Sequence, residues 1–295
     1  MLLLTLIYTK ERDGLITDIH EMTEYFKSRE IIIGISESIL NDVHFLKFYL
    51  EESDHDSTVN VSNNFNLYIA NIIYKVVINE YYPDEMIGFI SESYFFLKEE
   101  EIEELREIAH DALKSDGEIS DEGSVYCMNK KNSIVKKIQS CIMENNSINI
   151  EGFLTFRLRQ LNSDIEAIVE KTVEKYMVEK EYGEFIKLLK YFVEIQESKI
   201  DEVHIINKKD GSYELKDRYG CNIMEKLKDE IGIVKYPGEV KLDDMLISAL
   251  ITSCPKLIVI HCAQNNPNKE LMETIKNVFE ERVSFTTSNR ILKVK

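Results

Sequence analysis

Apolar residues along this chain cluster and alternate at first, then recur every three to four positions, then alternate again. "LLLTLIY" near the start and "EIIIGIS" at 30–36 are short and apolar, as strands are. Between them "LITDIHEMTEYF" sets Leu15, Ile19, Met22 and Phe26 at helical spacing. "VHFLKFYL" reads as a third strand, although its length also allows a helix. The polar stretch 51–64, "EESDHDSTVNVSNN", reads as a surface loop.

From there to about residue 200 the period is helical. Tyr68, Ile69, Ile72, Ile73, Val76 and Val77 form one stripe, and Pro83 breaks it and suits the first turn of the next helix. "EEEIEELREIAHDAL" predicts an exposed amphipathic helix with Ile102, Leu105, Ile108 and Ala109 inward. "KSDGEISDEGS", near 115–125, has the composition of a linker. Leu154, Leu158, Leu161, Ile165, Ile168, Val169, Val173 and Tyr176 then predict a helix capped by Asn149, with Ile148 and Phe153 as its staple and Glu151 near its positive end. A second helix, with Phe185, Leu188, Leu189 and Phe192 inward, is expected to run back antiparallel.

After residue 200 the alternation returns. "VHIINKKDGSYELKD" predicts a hairpin around Asp210-Gly211. An amphipathic "LDDMLISALITS", Pro255 and the run "KLIVIH" follow, then a helix packing through Leu271, Ile275, Val278 and Phe279, and a short strand in "SFTTS". "LIVI" needs cover on both faces, so that strand is expected to be central, with His261 at its exit. The chain therefore reads as α+β: an N-terminal α/β part (1–57), a central helical bundle (64–200) with the acidic linker, and a C-terminal β-hairpin plus small α/β unit (201–295).

Composition narrows the functions. The chain has 295 residues, 44% apolar and 30% charged. No apolar run reaches the roughly 18 residues of a membrane span. "MLLLTLIY" lacks the basic flank and cleavage site of a signal peptide, so a cytoplasmic protein is expected. Net charge is −17, and 99–122 hold eleven acids against Arg106 and Lys114. Such a chain repels polyanions, so general nucleic-acid binding is not expected. Five widely spaced cysteines without a CxxC fit free thiols in a reducing compartment. No metal and no cofactor is expected, because the cysteines are scattered and the histidines stand apart in sequence; "SDHDS", around His55, is at most a weak metal site.

The common catalytic motifs GxxxxGK[ST], GxGxxG, HExxH and GxSxG are absent. Two stretches stand out instead. In "INIEGFLTFRLRQ", Arg157 and Arg159 have no acidic neighbour three or four residues away, so a local helix ion pair is excluded. Each must find an acid elsewhere in the chain, an anionic ligand, a partner protein or water. In "KLIVIHCAQNNPN", His261 ends a strand, and Asn265, Asn266 and Asn268 lead into a helix, where they can cap the helix or hold a ligand. The basic runs "NKKNSIVKK" and "NRILKVK" lack interleaved aromatics and read as solubilising.

"INIEGFLTFRLRQ" followed by "EKEYGEFIKLLKYFVEIQ", then "IDEVHIINKKDGSYELKD" and "DDMLISALITSCPKLIVIH", resembles the YtxC-like family of sporulation-associated proteins over about 130–290, and more loosely before that. The resemblance implies a cytoplasmic protein of endospore-forming bacteria and brings no catalytic residue with it. Thr155 and Gln160 stand where the family more often has charged residues, which argues against a wholly charged helix face. The leading expectation is a non-enzymatic protein acting through a protein partner. The alternative is an anionic small-molecule binder or enzyme using Arg157, Arg159 or the His261 loop, with nucleic-acid binding third. Sequence leaves the oligomeric state open.

Overall fold

The computed structural model describes residues 1–12, 14–51, 55–114, 121–207, 212–224, 242–261 and 269–286, apart from the side chains of 55–58, 81 and 84. It forms two compact units, Met1–Met177 and Val178–Lys295, each built round one four-stranded mixed sheet with helices.

The first unit begins with β1 (Leu2–Tyr8), α1 (Leu15–Lys27), β2 (Ile33–Leu40) and β3 (Val43–Leu50). Alternation fixes the face of β1: Leu4, Leu6 and Tyr8 are buried and their neighbours are not. Gly14 starts α1 at φ 93°, a conformation open to glycine, and Leu15, Ile19, Met22 and Phe26 are all buried as their spacing predicts. β2 and β3 are joined by Asn41-Asp42, both at positive φ as a two-residue hairpin turn requires. The sheet order is β2-β3-β1-β4, and β4 (Ser147–Asn149) runs parallel to β1.

Helix α2 (His55–Val76) occupies much of the stretch expected to be a loop. Asp56, Ser57 and Thr58 suit a helix's first turn as well as a loop, which is why composition misled there. The expected break at Pro83 is a five-residue π-helical stretch, Val77–Tyr81, leading directly into α3 (Tyr82–Ser93). Proline has no N–H to continue the α ladder, and the wider turn accommodates its ring. In α4 (Glu99–Lys114) Leu105, Ala109 and Leu113 are buried, whereas Ile108, expected inward, is 40% exposed. α5 (Glu122–Glu144) is capped by Asp121, whose carboxylate accepts from Ser124 N–H; of the expected linker, 115–120 lie outside the described residues.

The region expected to be one helix from Asn149 is two. α6 (Ile150–Phe156) ends at Arg157, and α7 (Arg159–Ile195) follows after a tight turn. No glycine or proline marks that step. Both helices join one core: Phe153, Leu154, Leu158, Leu161, Ile165, Val169 and Val173 pack with Leu4, Phe48, Phe65 and Ile73.

α7 also corrects the expected helical return. It continues through 177–195 instead of turning back, and the boundary between the units falls inside it. "MVEKEYGE" is rich in strong helix formers, and its one glycine costs only about 1 kcal/mol. The buried face there is Ile186, Leu189 and Val193, while Phe185, Leu188 and Phe192 are 40–52% exposed.

In the second unit β5 (Glu202–Asn207) and β6 (Tyr213–Asp217) pair antiparallel as the predicted hairpin; 208–211, with the Asp210-Gly211 turn, lie outside the described residues. α8 (Leu242–Ser253), β7 (Leu257–His261), α9 (Lys269–Phe279) and β8 (Val283–Thr286) complete it, with strand order β6-β5-β7-β8. β7 is central as expected, and Leu271, Ile275, Val278 and Phe279 of α9 are buried in the same core as Ile258 and Ile260.

Candidate functional site

Parallel pairing of β5 with β7 sets His204 beside Val259 and Ile206 beside His261, so both histidines lie on the same face of the sheet. In sequence the two stand 57 residues apart. The structure brings His204 Nδ1 to 2.9 Å from His261 Nε2, and His204 Nε2 to 3.2 Å from a Glu202 carboxylate oxygen. Both histidines are buried. In the contact between the two rings one nitrogen donates and the other accepts, and the Glu202 carboxylate lies within ion-pair distance of the far nitrogen of His204. Burial pushes the His204 pKa down; Glu202 and Asp217 oppose this, and His261 adds to it. A carboxylate–imidazole–imidazole chain of this kind can orient a base or relay a proton. At the end of β5, the side-chain amide atoms of Asn207 are buried without a hydrogen-bond partner among the described residues. Asn265, Asn266, Asn268 and Cys262 lie outside the described residues.

The depressed His204 pKa makes a pH prediction. The folded state favours the neutral ring, so its contribution is complete above the ordinary pKa of 6.5 and is lost as pH falls below it. His204→Asn should cost about 1–2 kcal/mol at neutral pH and progressively less in mild acid. Thermal melts of both proteins across that range test this, and a gap that stays constant with pH would exclude that preference for the neutral ring.

Arg157 and Arg159 are both exposed, and neither has a carboxylate partner among the described residues. Phe156 beside them is 79% exposed. Arg157 flanks a cleft of about 260 Å³ between the end of α5, β4 and α6, lined also by Cys141, Asn149, Phe153 and Phe156. Burial raises the Cys141 thiol pKa, although Arg157 opposes it, so this thiol is a poor nucleophile at neutral pH. A second cleft, about 440 Å³, lies between α5 and α7 and is lined by Glu122, Glu170 and Glu174 among others. Neither is lined by His204 or His261.

Two charged clusters that sequence reading missed hold the first unit together. Arg12, in the loop after β1, is buried; its Nε donates to Glu80 at 2.9 Å and its Nη1 to Glu151 at 3.1 Å. Glu151, expected to serve a helix dipole, also accepts from the Thr9 backbone N–H. Asp164 on α7 is buried and accepts from Lys130, Ser133 and Lys137 of α5. Two lysines of "NKKNSIVKK", expected merely to solubilise, are therefore its structural partners.

Among the described residues no three ligating side chains gather as a metal site, and no helix is long and apolar enough to cross a membrane. The sequence profile of the YtxC-like family matches residues 67–284. The chain is also 30% identical to the uncharacterized protein YtxC of Bacillus subtilis (strain 168), over 203 residues covering 68% of this chain and 69% of that one. The chain belongs to the YtxC-like family. No solved structure matches it. In this YtxC-like protein the matched span includes Arg157, His204 and His261 but leaves out Arg12 and the first three strands.

Proposed function

We propose that this YtxC-like protein is a non-enzymatic, cytoplasmic, sporulation-associated protein that works by binding another protein. The observation that carries this reading is the step between α6 and α7. Phe156 is 79% exposed, and Arg157 and Arg159 follow it without a carboxylate partner among the described residues, in a chain of net charge −17. An aromatic anchor beside an unpaired guanidinium is a common composition for the centre of a protein interface, and it suits an acidic partner segment with an apolar residue. Because both side chains are exposed, Phe156→Ala with Arg157→Glu should change stability by no more than about 0.5 kcal/mol per site.

The test replaces the resident YtxC-like gene of an endospore-forming host by this one. A photo-crosslinker at the exposed position 160 should trap one protein during sporulation, and the double variant carrying the same crosslinker should fold normally, lose that product and sporulate poorly. Full sporulation by the double variant would overturn the reading.

A second reading, small-molecule binding or proton transfer, is favoured by one observation, the buried Glu202–His204–His261 chain across two parallel strands, which reaches the carboxyl end of β7 at His261.

A further inference from the structure

Among the described residues strand β2 is open on one side. It ends the first sheet, with β3 on its inner edge, and residues 34–40 are all exposed. Its register with β3 runs without a bulge from Ile33 opposite Leu50 to Leu40 opposite Val43. Native edge strands are ordinarily blunted by short length, a bulge, proline or lysine. β2 has eight residues, "IGISESIL", and none of these. Its one charge, Glu37, is held within its own sheet by His44 Nδ1 at 2.8 Å and the Tyr8 hydroxyl at 3.4 Å. Ile35, Ile39 and Leu40 are 40%, 60% and 66% exposed.

We propose that β2 is the interface of a symmetric homodimer, in which the β2 strands of two copies pair antiparallel about a two-fold axis at Ser36. The strand's own pattern selects a second copy as the occupant. A two-fold axis perpendicular to the sheet keeps every side chain on its own face. Centred at Ser36, it sets Ile33 against Ile39, Gly34 against Ser38 and Ile35 against Glu37 of the second copy. Centred at Glu37, it sets two carboxylates directly opposite each other, which destabilises a strand pair. Shifts further along leave part of the strand unpaired. Ile35 shares its face with Phe48, and Phe48 with Leu4, so that face is the one that carries the core. Pairing at Ser36 therefore extends this apolar face across the axis and covers Ile35 and Ile39. The two four-stranded sheets become one continuous sheet, with backbone hydrogen bonds supplying affinity and the register supplying specificity. β2 lies outside the family-matched span, so the device belongs to this chain's N-terminal part, and it does not depend on the partner-binding reading.

Sedimentation equilibrium of the full chain at about 1–100 µM should show a dimer. Ile35→Glu sets a carboxylate against Glu37 twice across the axis and should raise Kd by about tenfold or more. Ile35→Lys sets an ammonium there instead and should leave the dimer intact, with unchanged circular dichroism in both variants. Ser36→Cys, on the axis, should cross-link under oxidation, and Ser38→Cys, opposite Gly34, should not. A monomer throughout the concentration range overturns the proposal, whatever foreign strand it binds. So does a dimer that tolerates Ile35→Glu as well as Ile35→Lys, or one cross-linked through Ser38→Cys and not Ser36→Cys.

Discussion

Arg12→Met is expected to lower the stability of the first unit by about 3 kcal/mol, near the lower end of what removing one partner from a buried ion pair costs. The guanidinium is nearly inaccessible, with a side-chain exposure of 3%, while Glu80 and Glu151 are 29% and 32% exposed. Both carboxylates therefore keep some hydration when the arginine is gone, which holds the cost below the upper end of that range. Arg12 ties three separate parts of the chain: the loop after β1, the π-helical stretch that holds Glu80, and the first turn of α6. Arg12→Lys keeps the charge but lacks the fork that reaches two carboxylates at once, so about half the loss should remain. Glu151 adds a pH dependence. Burial pushes its pKa up, but hydrogen bonds from the Thr9 N–H and from Arg12 outweigh this and leave it below the usual 4.5. Its contribution is thus present above the ordinary pKa and is lost as pH falls through the lowered one, a dependence that Arg12→Met should weaken. Urea denaturation followed by circular dichroism measures both effects. A change under about 0.5 kcal/mol, as an ordinary surface site gives, would remove Arg12 from this role.

The residues most legible in the sequence are those whose partners lie along the same element. Leu15, Ile19, Met22 and Phe26 announce one buried face of α1, and the order of hairpin, helix and apolar run is enough to make β7 central. Asn149 announces its cap because capping is a contact between residues three apart, here Asn149 Oδ1 accepting from Gly152 N–H at 2.7 Å. Arg12 gives no such signal. It stands in the short polar stretch "TKERDG", and its partners are 68 and 139 residues away. His204 looks isolated for the same reason, since the parallel register that brings it to His261 spans 57 residues. α7 defeats periodicity differently. Between 178 and 195 it carries large apolar residues on more than one face, so spacing identifies the helix without saying which face is buried or where it turns. Arg157 shows the converse. Its missing helix partners are legible from spacing alone, and the structure leaves its side chain exposed.

Asp164→Ala is expected to cost the first unit about 2–3 kcal/mol, through loss of three hydrogen bonds to a carboxylate, two of them from lysine ammonium groups. Asp164 Oδ1 accepts from Lys130 Nζ at 3.0 Å, and Oδ2 from Lys137 Nζ at 2.7 Å and Ser133 Oγ at 2.9 Å, which fastens α7 to α5. The carboxylate is nearly buried, and the lysines are 32% and 40% exposed and can turn to water, so the cost falls on the acid's side of the cluster. Burial alone would raise its pKa, but hydrogen bonds from Lys137, Lys130 and Ser133 overcome this and bring it to about 2. A depressed carboxylate stabilises the fold above its unfolded pKa, and that stabilisation is lost as pH falls from about 4 to about 2. Asp164→Asn keeps the shape and an acceptor but removes the charge. The gap between wild type and Asp164→Asn should therefore be about 2 kcal/mol at neutral pH and close steadily in acid. Taking the difference between the two proteins cancels the many other carboxylates of this acidic chain, which titrate alike in both. No gap at neutral pH, or a gap that persists unchanged at about pH 2, would show that the charge of Asp164 contributes nothing to joining the two helices.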